Sequence, residues 1–318
     1  MPKLEIARGL TVLREGTYLT DAGVSTSDGL EFVEVTVNVQ DVYDGSRDDV
    51  NTGTAGSLTP GASSGRHGEI TIRGELKGPG AAYSAALDDL PWYHLLLGCA
   101  VSGTVGGGSL TLAPVRPDLS GSFTLGYYTG DGYFKFEGCR GNMRFSGTAA
   151  ERGFWEFTGF GVLAASYPIA VTLPTITYAN QADIPPVFTS GSAVLGAWTP
   201  VIRSYEFDLG NATTPRLDGN AATGHAGFAI TNRSPSWSFP GEVVGLATYD
   251  PFRTSLSGTT SNLAWTHGAA TGQTFAFDLD KASVRSPEMA DESGLLMWNI
   301  SGRAHITTGN DEWSLVGS

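Results

Sequence analysis

Cysteine is nearly missing from this chain: Cys99 and Cys139 are the only two in 318 residues. Two thiols do not make a disulfide framework. Long apolar runs are missing too, since no stretch reaches the roughly 18 residues that a membrane-spanning helix needs. Residues 1–6 hold no apolar segment of the signal-peptide kind, so synthesis in a reducing cytoplasm with both thiols free is the expectation. Positive charge is scarce, with 19 Lys and Arg against 32 Asp and Glu, a formal net charge of -13. No Lys/Arg cluster exists to grip a nucleic acid. The acidic balance suits either an ordinary solvated surface or one that repels a polyanion.

Catalytic signatures are absent as well. His67, His94, His225, His267 and His305 are scattered and form no metal-ligand motif. Gly61–Gly65 matches the letters of a nucleophile elbow, but no strand precedes it and no helix follows, and the elbow needs both. Gly106–Leu110 is Gly-rich but has no Lys to meet a phosphate. Asp88-Asp89 and the pair Asp278 and Asp280 are the only tempting carboxylates, and a solvated strand face accounts for the second pair more simply than a cation site. We therefore expect no enzyme activity, no cofactor and no metal.

What the chain does have is glycine, 43 residues or roughly twice the usual share, together with 10% aromatics. It also has a repeat. Phe134–Phe145 and the aromatic run Gly153–Gly161 recur in pattern as Phe275–Ser286 and Gly294–Gly302, both 141 positions on. Alternating apolar residues mark strands at 30–39, 70–76, 109–113, 122–128, 133–137, 142–146 and 154–160. A helix is expected to start at Pro91, with Trp92, Leu95, Leu96 and Cys99 as its apolar stripe and Asp88 or Asp89 as cap. Pro251–Leu256 occupies the corresponding place in the second half, and 228–231 matches 70–73 in pattern. Residues 41–67 read as a long polar loop, and 211–224 as a shorter one in a comparable place. The organisation expected is a first domain at 1–164, a proline-containing connector at 165–187 and a second domain at 188–318. The fold class is mainly β: two tandem β-sandwich or split-barrel domains, each with a short flanking helix.

Several segments together carry a resemblance to a known family. Ser204–Pro235 is the most specific, followed by Gly68–Gly78, Pro91–Cys99 and Phe136–Asn142. In their order and spacing they resemble the major tail tube protein of long, non-contractile-tailed bacteriophages, in its duplicated-domain form. The resemblance implies a virion structural protein of the tail, made late in the host cytoplasm. Its sheets would join those of sister chains into closed rings, and the rings would stack into a hollow tube through which the genome is ejected. A duplicated member would close a pseudo-sixfold ring with three chains, a hexamer being the alternative. Further partners implied are the tape measure, tail tip and tail terminator proteins, with DNA passing through the lumen without specific binding and no membrane insertion. On this reading Glu75, Glu137, Glu156, Asp208, Asp278 and Asp280 are candidate lumen-facing acids. Asp41, Asp44, Asp48, Asp49, Arg66 and His67 belong to a candidate ring-stacking loop. The alternatives are a decoration or receptor-binding virion protein and, further off, a carbohydrate-active enzyme with two carboxylates across a cleft.

Overall fold

The computed structural model describes residues 8–44, 62–84, 90–189, 191–221, 224–292 and 294–318. The chain is mainly β, with eighteen strands and two short α-helices among the described residues. The first half contains β1 (Arg8–Arg14), β2 (Glu34–Asp44), β3 (Ala62–Glu75), α1 (Pro91–Leu97), β4 (Val101–Gly106), β5 (Ser109–Pro114), β6 (Phe123–Thr129), β7 (Gly132–Thr148), β8 (Phe154–Leu163) and β9 (Ile169–Ala170). The second contains β10 (Val194–Leu195), β11 (Ser204–Asp208), β12 (Asn211–Leu217), β13 (His225–Arg233), β14 (Ser236–Glu242), α2 (Pro251–Ser257), β15 (Thr260–His267), β16 (Phe275–Glu292), β17 (Leu295–Ala304) and β18 (Ser314–Gly317).

One pairing scheme occurs twice. In the first half β2, β3, β8 and β7 lie side by side, β6 joins β7, and β1 joins β6. In the second half β11, β14, β17 and β16 lie in the same order, β15 joins β16, and β10 joins β15. Every one of these pairs is antiparallel. The two sets are then joined edge to edge, because β7 pairs with β11 from Arg144↔Asp208 to Thr148↔Ser204.

The ladders also correct the spacing of the repeat. Phe145 pairs with Trp155, and Met289 pairs with Trp298. Trp155 therefore corresponds to Trp298, 143 positions on rather than 141. Burial agrees: Cys139, fully buried, corresponds at 143 to buried Ala282, whereas 141 would set it against exposed Asp280. A two-residue slip preserves the in–out alternation of a strand, so pattern alone cannot detect it. The match expected between 70–73 and 228–231 fails for a related reason. Ile72 pairs with Phe157 and Phe239 with Ile300, which makes β14, not β13, the counterpart of β3. Gly74-Glu75 then corresponds to Gly241-Glu242. At both glycines a side chain would run into an indole, of Trp155 and of Trp198 respectively.

Other segments differ from their sequence reading. The two strands expected at 133–137 and 142–146 are one long strand, β7, with a bulge around Gly138 (φ +63°), where an L side chain would be strained. The described parts of the expected loop 41–67 are strand, since β2 runs to Asp44 and β3 starts at Ala62; residues 45–61 lie outside the described residues. Paired with each other, these polar residues satisfy their backbone groups. For the same reason the elbow-like 62–65 is strand. The second expected loop, 211–224, is largely β12, paired with β13. Within 188–195 the described strand is β10.

Both helices begin with Pro at N1, where its fixed φ helps and its missing N–H costs nothing. Trp92, Leu95, Leu96 and Cys99 are all buried, as expected. Leu90 is the N-cap of α1 and gives no side-chain bond, and the expected cappers Asp88 and Asp89 lie outside the described residues. In α2 the Asp250 carboxylate accepts the Arg253 N–H at 2.9 Å, and Gly258 closes the helix at φ +66°.

Buried apolar residues form one continuous cluster across both halves. Trp92 of α1 meets Phe275 of β16 at 6.1 Å between ring centroids, and Phe145 meets Phe277 at 5.6 Å. The connector is fastened by His267, which is fully buried. Its Nε2 lies 3.0 Å from the Pro186 carbonyl and so carries the proton, leaving Nδ1 to accept from the Tyr205 hydroxyl at 3.0 Å. Burial holds this imidazole below its ordinary pKa, the Pro186 carbonyl partly opposing. The unfolded chain therefore takes up the proton first. The stability contributed is complete above about pH 6.5 and is lost as the pH falls through the lower folded value. Urea midpoints measured from pH 7.5 to 5 should decline. In His267→Gln the stability should start lower and the decline should be shallower; an unchanged slope would exclude His267 as its source.

Candidate functional site

The eight strands from β2 to β16 present one apolar and one polar face. Across the buried face the register aligns Trp155, Phe145, Phe207 and Trp237 on successive strands. One row away the other face aligns Glu34, Arg73, Glu156, Arg144 and Asp208 on β2, β3, β8, β7 and β11. Charge sign thus alternates across five adjacent strands, the arrangement that cross-strand pairs favour. The row continues as Ser236, Arg303 and Ser283. A second row runs Glu75, Phe154, Ser146, Glu206, Ser238, Ser301, Arg285.

Three of the six acids singled out from sequence, Glu75, Glu156 and Asp208, share this face. Each has a partner. Arg144 donates to Glu156 and to Glu206, at 3.1 Å each, Arg152 pairs with Glu75, and Asn142 Nδ2 donates to Asp208 at 2.7 Å. Much of the acid on this face is bridged by arginine. The other three acids lie elsewhere. Glu137 sits beyond the β7 bulge, where burial, then Asp21 and Glu15, raise its carboxyl above the ordinary range. Asp278 lies on β16 between β15 and β18, accepting from Asn262 Nδ2 at 2.6 Å, with Asp280 two residues further along the same strand.

Of the loop residues named from sequence, Asp41 and Asp44 are in β2, Arg66 and His67 are in β3, and Asp48 and Asp49 lie outside the described residues. His67 meets a partner that sequence reading missed. Hairpin β12–β13 folds back over one end of the polar face, where Phe228 stacks on Phe160 at 5.2 Å and the His67 and His225 rings lie 5.4 Å apart. Burial, then His225, hold His67 below its ordinary pKa. The Tyr18 hydroxyl accepts the Phe228 N–H at 2.6 Å and donates to its carbonyl at 2.9 Å. Gly227 (φ +88°), which leaves room for that phenol, was the available sequence signal.

Several strand edges of the sheet are open among the described residues, that of β4 included. β2 pairs only with β3. The end of β16, Glu288–Glu292, pairs only with β17. A bulge and Pro287 precede this second stretch, a common way of blunting an edge. By the strand equivalence β2 corresponds to β11 and Glu288–Glu292 to Arg144–Thr148, where the bulge after Arg285 adds one residue to the spacing. The edges of β2 and of Glu288–Glu292 are thus the counterparts of the two edges that the chain joins internally.

Among the described residues no group of three or more His, Cys, Asp or Glu side chains converges as a metal site, and no helix is long and apolar enough to cross a membrane. Compared with models of known protein families the chain matches none, and no curated protein matches it in sequence.

Proposed function

We propose that this chain is a structural subunit of the tail tube of a long, non-contractile-tailed bacteriophage. It comprises two tandem tube-type β-sandwich domains, each with a flanking helix. The observation that carries the reading is the internal joint. One copy of the repeated strand set pairs through β7 with β11 of the next, head to tail. A head-to-tail joint leaves a complementary edge at each end, and repeating it under rotation closes a ring that removes both. Three chains close a ring of six such units.

The polar face then lines the bore. Arg144 and Arg152 are engaged by carboxylates, so they are poorly placed to displace counterions from phosphate. Serine is the commonest residue on the remainder of the face, where Arg285 and Arg303 stand exposed without an ion-pair partner among the described residues; with those two arginines covered in the assembled ring, DNA slides past. Ring stacking builds the tube, with the tape measure, tip and terminator proteins as its partners in the virion tail. Negative-stain microscopy of the purified protein tests the reading: rings or tubes with a central hole are expected, and counting subunits separates trimer from hexamer. Discrete monomers at all concentrations would overturn it.

A further inference from the structure

The internal joint has a second component besides strand pairing. After pairing with β7, β11 continues into hairpin β12–β13, which leaves the sheet at Gly210 (φ +64°), where a Cβ would strike the Ser234 carbonyl. The hairpin then covers the end of the polar face on β7 and β8. Besides the Phe228 stack, Asn211 N–H donates to Asn142 Oδ1 at 2.9 Å and Arg140 Nη1 donates to the Phe228 carbonyl at 3.2 Å. The strand that extends the sheet thus also brings a hairpin that roofs it.

Among the described residues no hairpin roofs the equivalent place in the second half. At the 143-residue spacing Phe160 corresponds to Arg303 and Asn142 to Arg285. Both arginines are exposed, and neither has an ion-pair partner among the described residues. They border a shallow groove with Ser238 and Ser301. Glu206 and Asp208 stand on its far wall, already bonded to Arg144 and Asn142.

Among the described residues one further hairpin is of this type. β2, the counterpart of β11, continues with β3 past the end of the β8 ladder at His67. In sequence the stretch that leads out of β2 holds Asp41, Asp44, Asp48 and Asp49 against Arg47 alone. We propose that the Arg285–Arg303 groove receives the β2–β3 hairpin of a second copy of this chain, acid against arginine. The proposal rests on the head-to-tail reading above and adds to it a charged clasp.

A charge swap tests it. Arg285→Glu with Arg303→Glu should raise the concentration for half-assembly at least about tenfold, since like charges set against each other cost several kcal/mol. Asp41→Arg with Asp44→Arg should do the same. All four together should return to within about threefold of wild type, and salt should weaken wild-type assembly. Circular dichroism checks that each variant is folded. Wild-type rings with both double variants assembling normally, or a fourfold variant no better than the worse double, would overturn the clasp and leave the tube reading standing. A wild type that never assembles would overturn both.

Discussion

Met289→Glu should leave the monomer folded and abolish ring formation. Met289 is 54% exposed at the open end of β16, so a carboxylate there stays hydrated in the free chain. Its counterpart is Phe145, which pairs with Phe207 across the internal joint. Repeating that joint between chains sets Met289 opposite Val37 of β2 in a neighbour, on the apolar side of the sheet. A glutamate there would be stripped of water with no partner, which costs several kcal/mol per interface. Each 1.4 kcal/mol is about tenfold in affinity, and a closed ring incurs the penalty at every joint. The same register opposes Glu292 to Glu34, but Arg203 already holds Glu292 at 2.9 Å. Sedimentation velocity checks the prediction, with Met289→Leu as the control that still assembles. Rings of normal size from the glutamate variant would exclude this edge from assembly.

Much of the strand content was legible because alternation is a local signal. Val35 with Val37, Phe134 with Phe136 and Trp155 with Phe157 declare an inward face without reference to any other strand. The helices were legible because Pro91 and Pro251 mark their first turns. What remained hidden is non-local. Nothing in the letters of β7 or β11 says that they pair, and that one contact turns two repeats into one sheet. The two-residue error in the repeat spacing has the same root, since alternation has period two and is blind to it. Arg144 is a further case: 12 residues separate it from Glu156 but 62 from Glu206, so the bridged charge on the polar face emerges only once β8, β7 and β11 are adjacent. Strand β12 reads as a loop because its side chains are polar, whereas on its partner β13 Phe228 and Ile230 are buried.

Phe207→Ala should destabilise the whole chain by about 3–5 kcal/mol, the usual range for removing a large buried aromatic side chain. Phe207 has no exposed surface, and its ring lies 6.2 Å from Trp265, 6.0 Å from Phe277 and 5.6 Å from Trp313. These residues belong to the second half. Across the joint Phe207 pairs with Phe145, which packs on Trp92 at 6.4 Å and on Phe277 at 5.6 Å. The cavity would therefore open on both halves at once. If the shared core makes them one cooperative unit, urea unfolding followed by near-ultraviolet dichroism and by tryptophan fluorescence should give one coincident transition in wild type and variant, displaced to lower urea in the variant. Two separated transitions, with only the later one moved by the substitution, would show that the first half keeps a core of its own. The joint would then be a contact between independent domains, and an edge pairing between chains would need no shared core either.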